Sequence, residues 1–412
     1  MALTIPIITR KSLTDLEPLT YRAKYLAGCQ RRLDGRWLLQ PDIDLSKFTC
    51  RAVIDWVEIN FETVLPTRIL ELRRLMAPVF GGRKPYCVPM QDSDTTLPRL
   101  ERFRRKSHLF VLRVQEPDFA QIAAALIAIA RRYQLSADPR IPAIEVSIDF
   151  TPKTPCDRDR LAMVLVLGRH LLPTAHDVIS CKADRERFSW GDKKFDTVSF
   201  GTDQERINRD VLPLSIAGDQ APFADATLYL GAQSGPVMWR IMDKVIDRQN
   251  RGKGTAIVLP PEERRARIEV QLSGESMDEF SFDEFSKLRT FRFERLSRFF
   301  RFELTTFEES APPKPSEPRA WASKRRWEKF ALTGVPGLLA MDEAKRKERE
   351  RARSALVKAK IPTRDRVRVG KGGKGTFVSY KDLNKAVDTA LRHLSERVRR
   401  QVKLGTSSPT SC

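Results

Sequence analysis

ATLYLGAQSGPVMWRIMDK (residues 226–244) reads as a strand, a turn rich in Gly and Ser, and a second strand that ends on two charges. Some twenty residues later ARIEVQLSG (266–274) alternates in the same way. Three upstream stretches share the period of two: AVIDWVEINFE (52–62), SHLFVLRVQE (107–116) and IPAIEVSIDFTP (141–152). Helical stretches lie between and after them. LPTRILELRRLMAPVFGG (65–82) is bracketed by Pro66 and by Gly81 and Gly82. PDFAQIAAALIAIARRYQL (117–135) opens on Pro117 and Asp118, and DRDRLAMVLVLGRHLL (157–172) follows. The order predicts an α+β fold, an antiparallel sheet with helices on one face in a split β-α-β layout, single or duplicated. The opposite face is then open to bind something. FDEFSKLRTFRFERLSRFFRFEL (282–304) predicts a helix packed on the sheet and ending in a strand, with Phe285, Leu288, Phe291, Leu296, Phe299 and Phe300 as core rather than as a base-stacking platform.

A chain of 412 residues predicts two domains, or one large domain with a tail. Residues 1–48 read as an irregular arm, 49–307 as the α+β domain, the proline-rich 308–320 as a linker, and 321–412 as a basic, mainly helical accessory region. The formal charge is +21, and from Arg319 onward there are 25 Lys/Arg against 9 Asp/Glu. Such a tail suits a phosphate backbone, whose counterions are released on binding. In its last part a glycine-basic turn precedes a helix with Leu383, Val387, Leu391, Leu394 and Val398 on one side. The turn, GKGGKGT, lacks the GK[ST] ending of a P-loop. The six cysteines form no CxxC pair, which predicts reduced thiols. Without an 18-residue apolar run or a signal-peptide layout, the expected setting is cytoplasmic, with no membrane partner.

Four histidines without an HxH or HExxH spacing, and no GxSxG, exclude the common zinc and serine hydrolases. Strand carboxylates remain. Glu145 and Asp149, four apart, share a face; Asp55 lies an odd number of residues from Glu58 and Glu62 and is expected on the opposite face from them; Glu269 shares a face with Arg267. Acids on apolar strands are costly unless paired or metal-bound. Oxygens converging from neighbouring strands would take Mg²⁺ or Mn²⁺, which polarises a phosphodiester. The competing reading pairs the same acids with Arg240, Lys244 or Arg267 across the sheet.

TLYLGAQSGPVMWRIMDKVID followed by RIEVQL resembles the replication initiation factor family of rolling-circle plasmids and phages, which also includes relaxases of mobile elements. Members show a TLYxGSRxS…RIYDK…E stretch and then RxE; IEVSIDF is similar to their RIDLALD strand, and IDWVEINFE to their first strand. The resemblance covers about residues 50–305. It implies binding to double-stranded origin DNA, metal-dependent nicking by a tyrosine, a 5′-phosphotyrosine link that leaves a 3′-OH, and a host helicase as partner. By position it implies Glu145, Asp149 and Glu269 as metal-site acids and Lys244 as the lysine of the YDK element. The chain departs where the family has its tyrosine, because Met242 stands there and a thioether cannot attack phosphorus. Tyr229, in the neighbouring strand, is the nearest substitute among six tyrosines, the others being Tyr21, Tyr25, Tyr86, Tyr133 and Tyr380.

The alternative is a catalytically inactive DNA-binding protein of the same fold, acting in replication control or partner recruitment. A third reading, RNA binding on the open sheet, would draw on Trp56 and Trp239. Expected nucleic-acid contacts are Arg240, Arg267, Lys324, Arg325, Arg326, Lys371 and Lys374.

Overall fold

The computed structural model describes residues 3–9, 16–28, 33–81, 86–90, 106–173, 187–189, 197–199, 221, 223–231, 235–250, 255–280, 283–312, 318–359 and 377–407. Lys371, Lys374, the glycine-basic turn and most of the proline-rich stretch lie outside the described residues.

The strands are β1 (Leu3–Ile5), β2 (Leu19–Leu26), β3 (Arg36–Pro41), β4 (Phe48–Arg68), β5 (Tyr86–Pro89), β6 (Lys106–Gln115), β7 (Arg140–Pro152), β8 (Arg187–Ser189), β9 (Thr197–Ser199), β10 (Thr227–Leu230), β11 (Val237–Lys244), β12 (Ile246–Asn250), β13 (Thr255–Val258), β14 (Arg265–Ser273), β15 (Glu303–Phe307) and β16 (Phe377–Ser379). Nine of them form one antiparallel sheet in the order β5-β6-β4-β7-β14-β11-β10-β8-β9. The fold is therefore α+β, and the stretch quoted first supplies β10 and β11, with Gly231 at φ +84° in the turn between them. A Cβ on Gly231 would meet the Val237 carbonyl oxygen at 2.8 Å, so the turn admits glycine alone.

Alternation assigns the two faces. Ile144, Val146, Ile148 and Phe150 of β7, with Ala266, Ile268 and Val270 of β14 and Trp239 and Ile241 of β11, are buried under helices. The helix Phe119–Tyr133 is capped by Asp118, whose carboxylate accepts from Ala120 N at 2.9 Å, and buries Ile122, Leu126 and Ile129. The helix Asp157–His170 lies along β7, β14 and β11. It is tied to the sheet where Arg160 Nε meets Asp243 Oδ1 at 2.6 Å. Each buried Val or Ile contributes about 1.5–3 kcal/mol relative to exposure, so this apolar face holds the sheet flat against its helices.

Three expectations are corrected. Residues 1–48 do not form an irregular arm: β1, β2 and β3 build a second antiparallel sheet with β15 and β16, in the order β1-β2-β3-β15-β16. The region beyond 320 is basic and helical, yet not a module apart. β16 joins that second sheet, the helix Lys381–Ser407 lies on β4 and on the 119–133 helix, and one contiguous core runs from Ile5 to Val402. The phenylalanine-rich 282–304 stretch forms 3₁₀ segments, Phe285–Arg289 and Phe293–Phe300, rather than an α-helix. Phe285, Leu288, Phe291, Leu296, Phe299 and Phe300 are all buried, as core. No helix among the described residues is long and apolar enough to cross a membrane.

Candidate functional site

The face of the large sheet opposite the helices carries charge instead of methyl groups. Register places Tyr229 across from Arg240, Arg240 across from Glu269, and Glu269 across from Ser147. One pair along, Thr227, Met242, Arg267 and Asp149 form the next row, and Lys244 faces Arg265 beyond it. Side chains in such rows stand on one face about 4.5–5.5 Å apart. The acids and bases predicted from alternation therefore do meet: Glu145, Asp149, Glu269, Arg240, Arg267, Lys244 and Tyr229 share this face.

Asp55 joins them, against expectation. Ile54 pairs with Val146 and Trp56 with Glu145, so Asp55 is an extra residue in β4, a β-bulge. The bulge reverses the alternation from that point, and Asp55 and Glu58 come to the same face. Asp55 then accepts from Ser147 Oγ and from Arg267 Nη1 at 2.8 Å. Trp56, brought to the same face, lies beneath the Arg113 guanidinium, 3.9 Å from the ring centroid.

Carboxylate oxygens of Asp55, Glu145 and Glu269 lie within 4.8 Å of one another. Three oxygen donors at that spacing, two of them buried, could hold a metal ion. The expected set is corrected at one position: Asp55 takes the place of Asp149. Asp149 is clasped by Arg267, Nε to Oδ1 at 2.5 Å and Nη2 to Oδ2 at 2.7 Å, and approached by Arg265 Nε at 3.0 Å. Arg240 bridges the other two acids, its Nη2 lying 2.5 Å from Glu145 Oε2 and 2.6 Å from Glu269 Oε2. Glu145, Asp149, Glu269 and Arg267 are all 3–6% exposed.

Burial and the neighbouring Glu269 push the Glu145 carboxyl up to about 7, with Arg240 pulling the other way. Burial raises Glu269 too, opposed by Arg240 and Arg267 and reinforced by Asp55. For Arg267, burial opposes the charge, but Asp149 and Asp55 outweigh it and hold the guanidinium above the ordinary arginine range. The cluster thus carries two carboxyl groups held above the ordinary carboxylate range, beside two arginines held above theirs. A divalent cation, by its own charge, would favour the ionised acids.

Tyr229 is half-buried and stands across from Arg240. On the sheet it is the diagonal neighbour of Met242, which pairs with Thr227 two residues before it. Of the other tyrosines only Tyr86 shares this face by register, farther along the sheet beyond Arg113. Tyr21, Tyr133 and Tyr380 are buried in the core, Tyr25 is exposed on the second sheet, and Tyr86 is 58% exposed on β5, across from Arg113.

Of the expected nucleic-acid contacts, Arg267 is sealed in its ion pairs and offers no surface to a phosphate. Lys324 lies 3.7 Å from Glu328, Arg325 is near the Trp321 ring, and Arg326 pairs with Asp342 at 2.5 Å, all on the helix Pro318–Lys358. Trp239 is core, with its Nε1 donating to the Phe299 carbonyl at 2.7 Å. Sequence reasoning missed Arg265 and Arg113, both at alternating positions of strands already recognised.

From Asp55 and Asp149 a cleft of about 750 Å³ runs past the end of β6 to the helix Lys381–Ser407. No family model matches this chain, and no curated protein matches it.

Proposed function

We propose that this chain binds origin DNA and nicks one strand, with Tyr229 as nucleophile and Asp55, Glu145 and Glu269 as the ligands of Mg²⁺ or Mn²⁺. The observation that carries this reading is the common face of Tyr229, Arg240 and the three acids, with Tyr229 diagonal to Met242. Diagonal neighbours on a sheet lie about 7–8 Å apart, within reach of a tyrosine side chain. A phenol lost at position 242 is thereby replaced from the next strand without a change of face. The resemblance to replication initiation factors supports the same reading.

In the reaction, Tyr229 Oη bonds to phosphorus as the bond from phosphorus to O3′ breaks. The proton lost by the phenol balances that gained by the 3′-oxygen, and a 5′-phosphotyrosine results. A bound divalent cation would polarise the non-bridging oxygens. Arg240, across from Tyr229, is placed to stabilise the charge that gathers on phosphorus. Lys244, at the end of the same row, adds positive charge near Glu269.

The second reading, a DNA-binding protein that does not cut, is favoured by the double contact of Arg240, which neutralises Glu145 and Glu269 from within the chain. Incubation with supercoiled plasmid carrying the protein's own coding region, with Mg²⁺ or Mn²⁺, followed by denaturing electrophoresis, separates the two. A covalent adduct that disappears in Tyr229→Phe supports nicking. Retarded DNA without an adduct supports the second.

A further inference from the structure

Three cations from three distant parts of the chain line the cleft, and a fourth stands beside it. Arg51 comes from β4, Lys153 from just beyond β7, and Arg397 from the helix Lys381–Ser407, where Arg400 stands next to Arg397 at the edge of the cleft. Glu116, Glu262 and Glu263 line the cleft as well, but among the described residues no carboxylate forms an ion pair with any of the four cations. Arg397 spends one Nη2 on the Ala52 carbonyl oxygen at the edge of β4 that β6 leaves uncovered. Among the described residues its guanidinium makes no other hydrogen bond. Burial lowers its pKa, and Arg51 and Arg400 beside it lower it further. Like charges held together against a partly buried wall are unfavourable unless an anion joins them. Arg240 and Arg267 on the same sheet are each in ion pairs with acids, unlike this group.

The floor between them is apolar, formed by Ile54, Leu394 and Val398. At about 750 Å³ the space is far too narrow for a duplex but has the size of a pocket for a few unstacked groups. Cations along a groove with an apolar floor are the pattern that tracks a single strand, phosphates on the charged wall and bases on the floor. The other end of the cleft reaches Asp55.

We infer that this cleft binds single-stranded DNA, with Arg51, Lys153, Arg397 and Arg400 on its phosphates, and leads the strand to the acid face. This rests on the proposed action on DNA and adds the path of the strand. The helix Lys381–Ser407 is then a wall of the binding site.

The test is fluorescence anisotropy of a labelled 20-nucleotide single strand with the full chain, between 50 and 300 mM salt. The variant is Arg51→Gln/Lys153→Gln/Arg400→Gln, which leaves the Arg397–Ala52 contact intact; Arg346→Gln/Arg349→Gln/Arg351→Gln on the exposed helix is the control. Removing three phosphate contacts should weaken binding at least tenfold near 100 mM salt and reduce the slope of log K against log salt by about two. The control should bind within about threefold of the natural chain. Equal losses in both variants, or an unchanged slope in the first, overturn the cleft while leaving DNA binding intact. If the natural chain binds neither this strand nor plasmid DNA, the proposed function and the cleft fall together.

Discussion

Arg267 holds Asp149 by both prongs, Nε to Oδ1 at 2.5 Å and Nη2 to Oδ2 at 2.7 Å, at a site where both residues are at most 6% exposed. The pair joins β14 to β7 in direct register. Removing one partner leaves a buried charge alone. Asp149→Ala should therefore destabilise the fold by about 3–5 kcal/mol, whereas Asp149→Leu/Arg267→Met should recover most of that loss. Urea titration of the three proteins measures it, and equal stability of Asp149→Ala and the natural chain would show that the pair is not buried in solution.

The acid cluster predicts an unusual dependence on pH. The folded-state pKa of Glu145, about 7, lies above its ordinary value of 4.5, so between these limits the folded state holds more protons than the unfolded one. Its contribution to stability is present below about pH 4.5 and is lost as pH rises through 7. Raised Glu269 acts in the same direction. Thermal melts from pH 5 to 8 should show this decline flattened in Glu145→Gln. Millimolar Mn²⁺ should raise the melting temperature of the natural chain at pH 8, and not that of Asp55→Asn/Glu269→Gln, because a ligand of the folded state stabilises by mass action.

His170 should titrate the other way. Its Nδ1 lies 2.8 Å from the Glu303 carbonyl oxygen, which only accepts, so Nδ1 carries the proton and Nε2 accepts from the Tyr21 hydroxyl at 3.1 Å. Burial keeps the ring neutral and pushes its pKa from 6.5 down to about 4. The stability linked to this group is complete above pH 6.5 and is lost as pH falls through 4. The imidazole resonances should stay unshifted down to about pH 5. Tyr21→Phe strips Nε2 of its donor and should cost about 1–3 kcal/mol; an unchanged melting temperature would count against this bond.

Gly334 interrupts the helix Pro318–Lys358 at φ +69°, and a Cβ there would lie 2.3 Å from the Arg169 Cα. Neither backbone can give way, since Arg169 belongs to the buried helix Asp157–His170. Gly334→Ala should destabilise by more than about 3 kcal/mol through strain and overpacking. Loss of soluble expression, or a melting temperature lowered by several degrees, would be the readout.

The large sheet was legible because its strands alternate: the shared face of Glu145 and Asp149, and of Glu269 and Arg267, follows from spacing alone. Asp55 was not, since a single inserted residue reverses the alternation and nothing in DWVEINFE marks it. Arg267 reads as a surface cation until its cross-strand neighbour is known. The 3₁₀ segments had left a trace, in that 285, 288 and 291, and again 293, 296 and 299, recur at intervals of three rather than 3.6. The second sheet escaped because β3 closes on β15 some 270 residues later, a pairing that no local pattern announces.

That second sheet also sets a timetable. β3 has to wait for β15, and β15 for β16, before its hydrogen bonds are complete. During synthesis, at about 5–20 residues per second, residues 36–41 would have β2 on one side but lack β15 on the other for tens of seconds. The nine-stranded sheet can assemble earlier, from residues 48–273. The newborn chain therefore has an interval in which the half with the acid face exists while the strand pairs of the second sheet do not. In that interval a chaperone would meet an incomplete molecule.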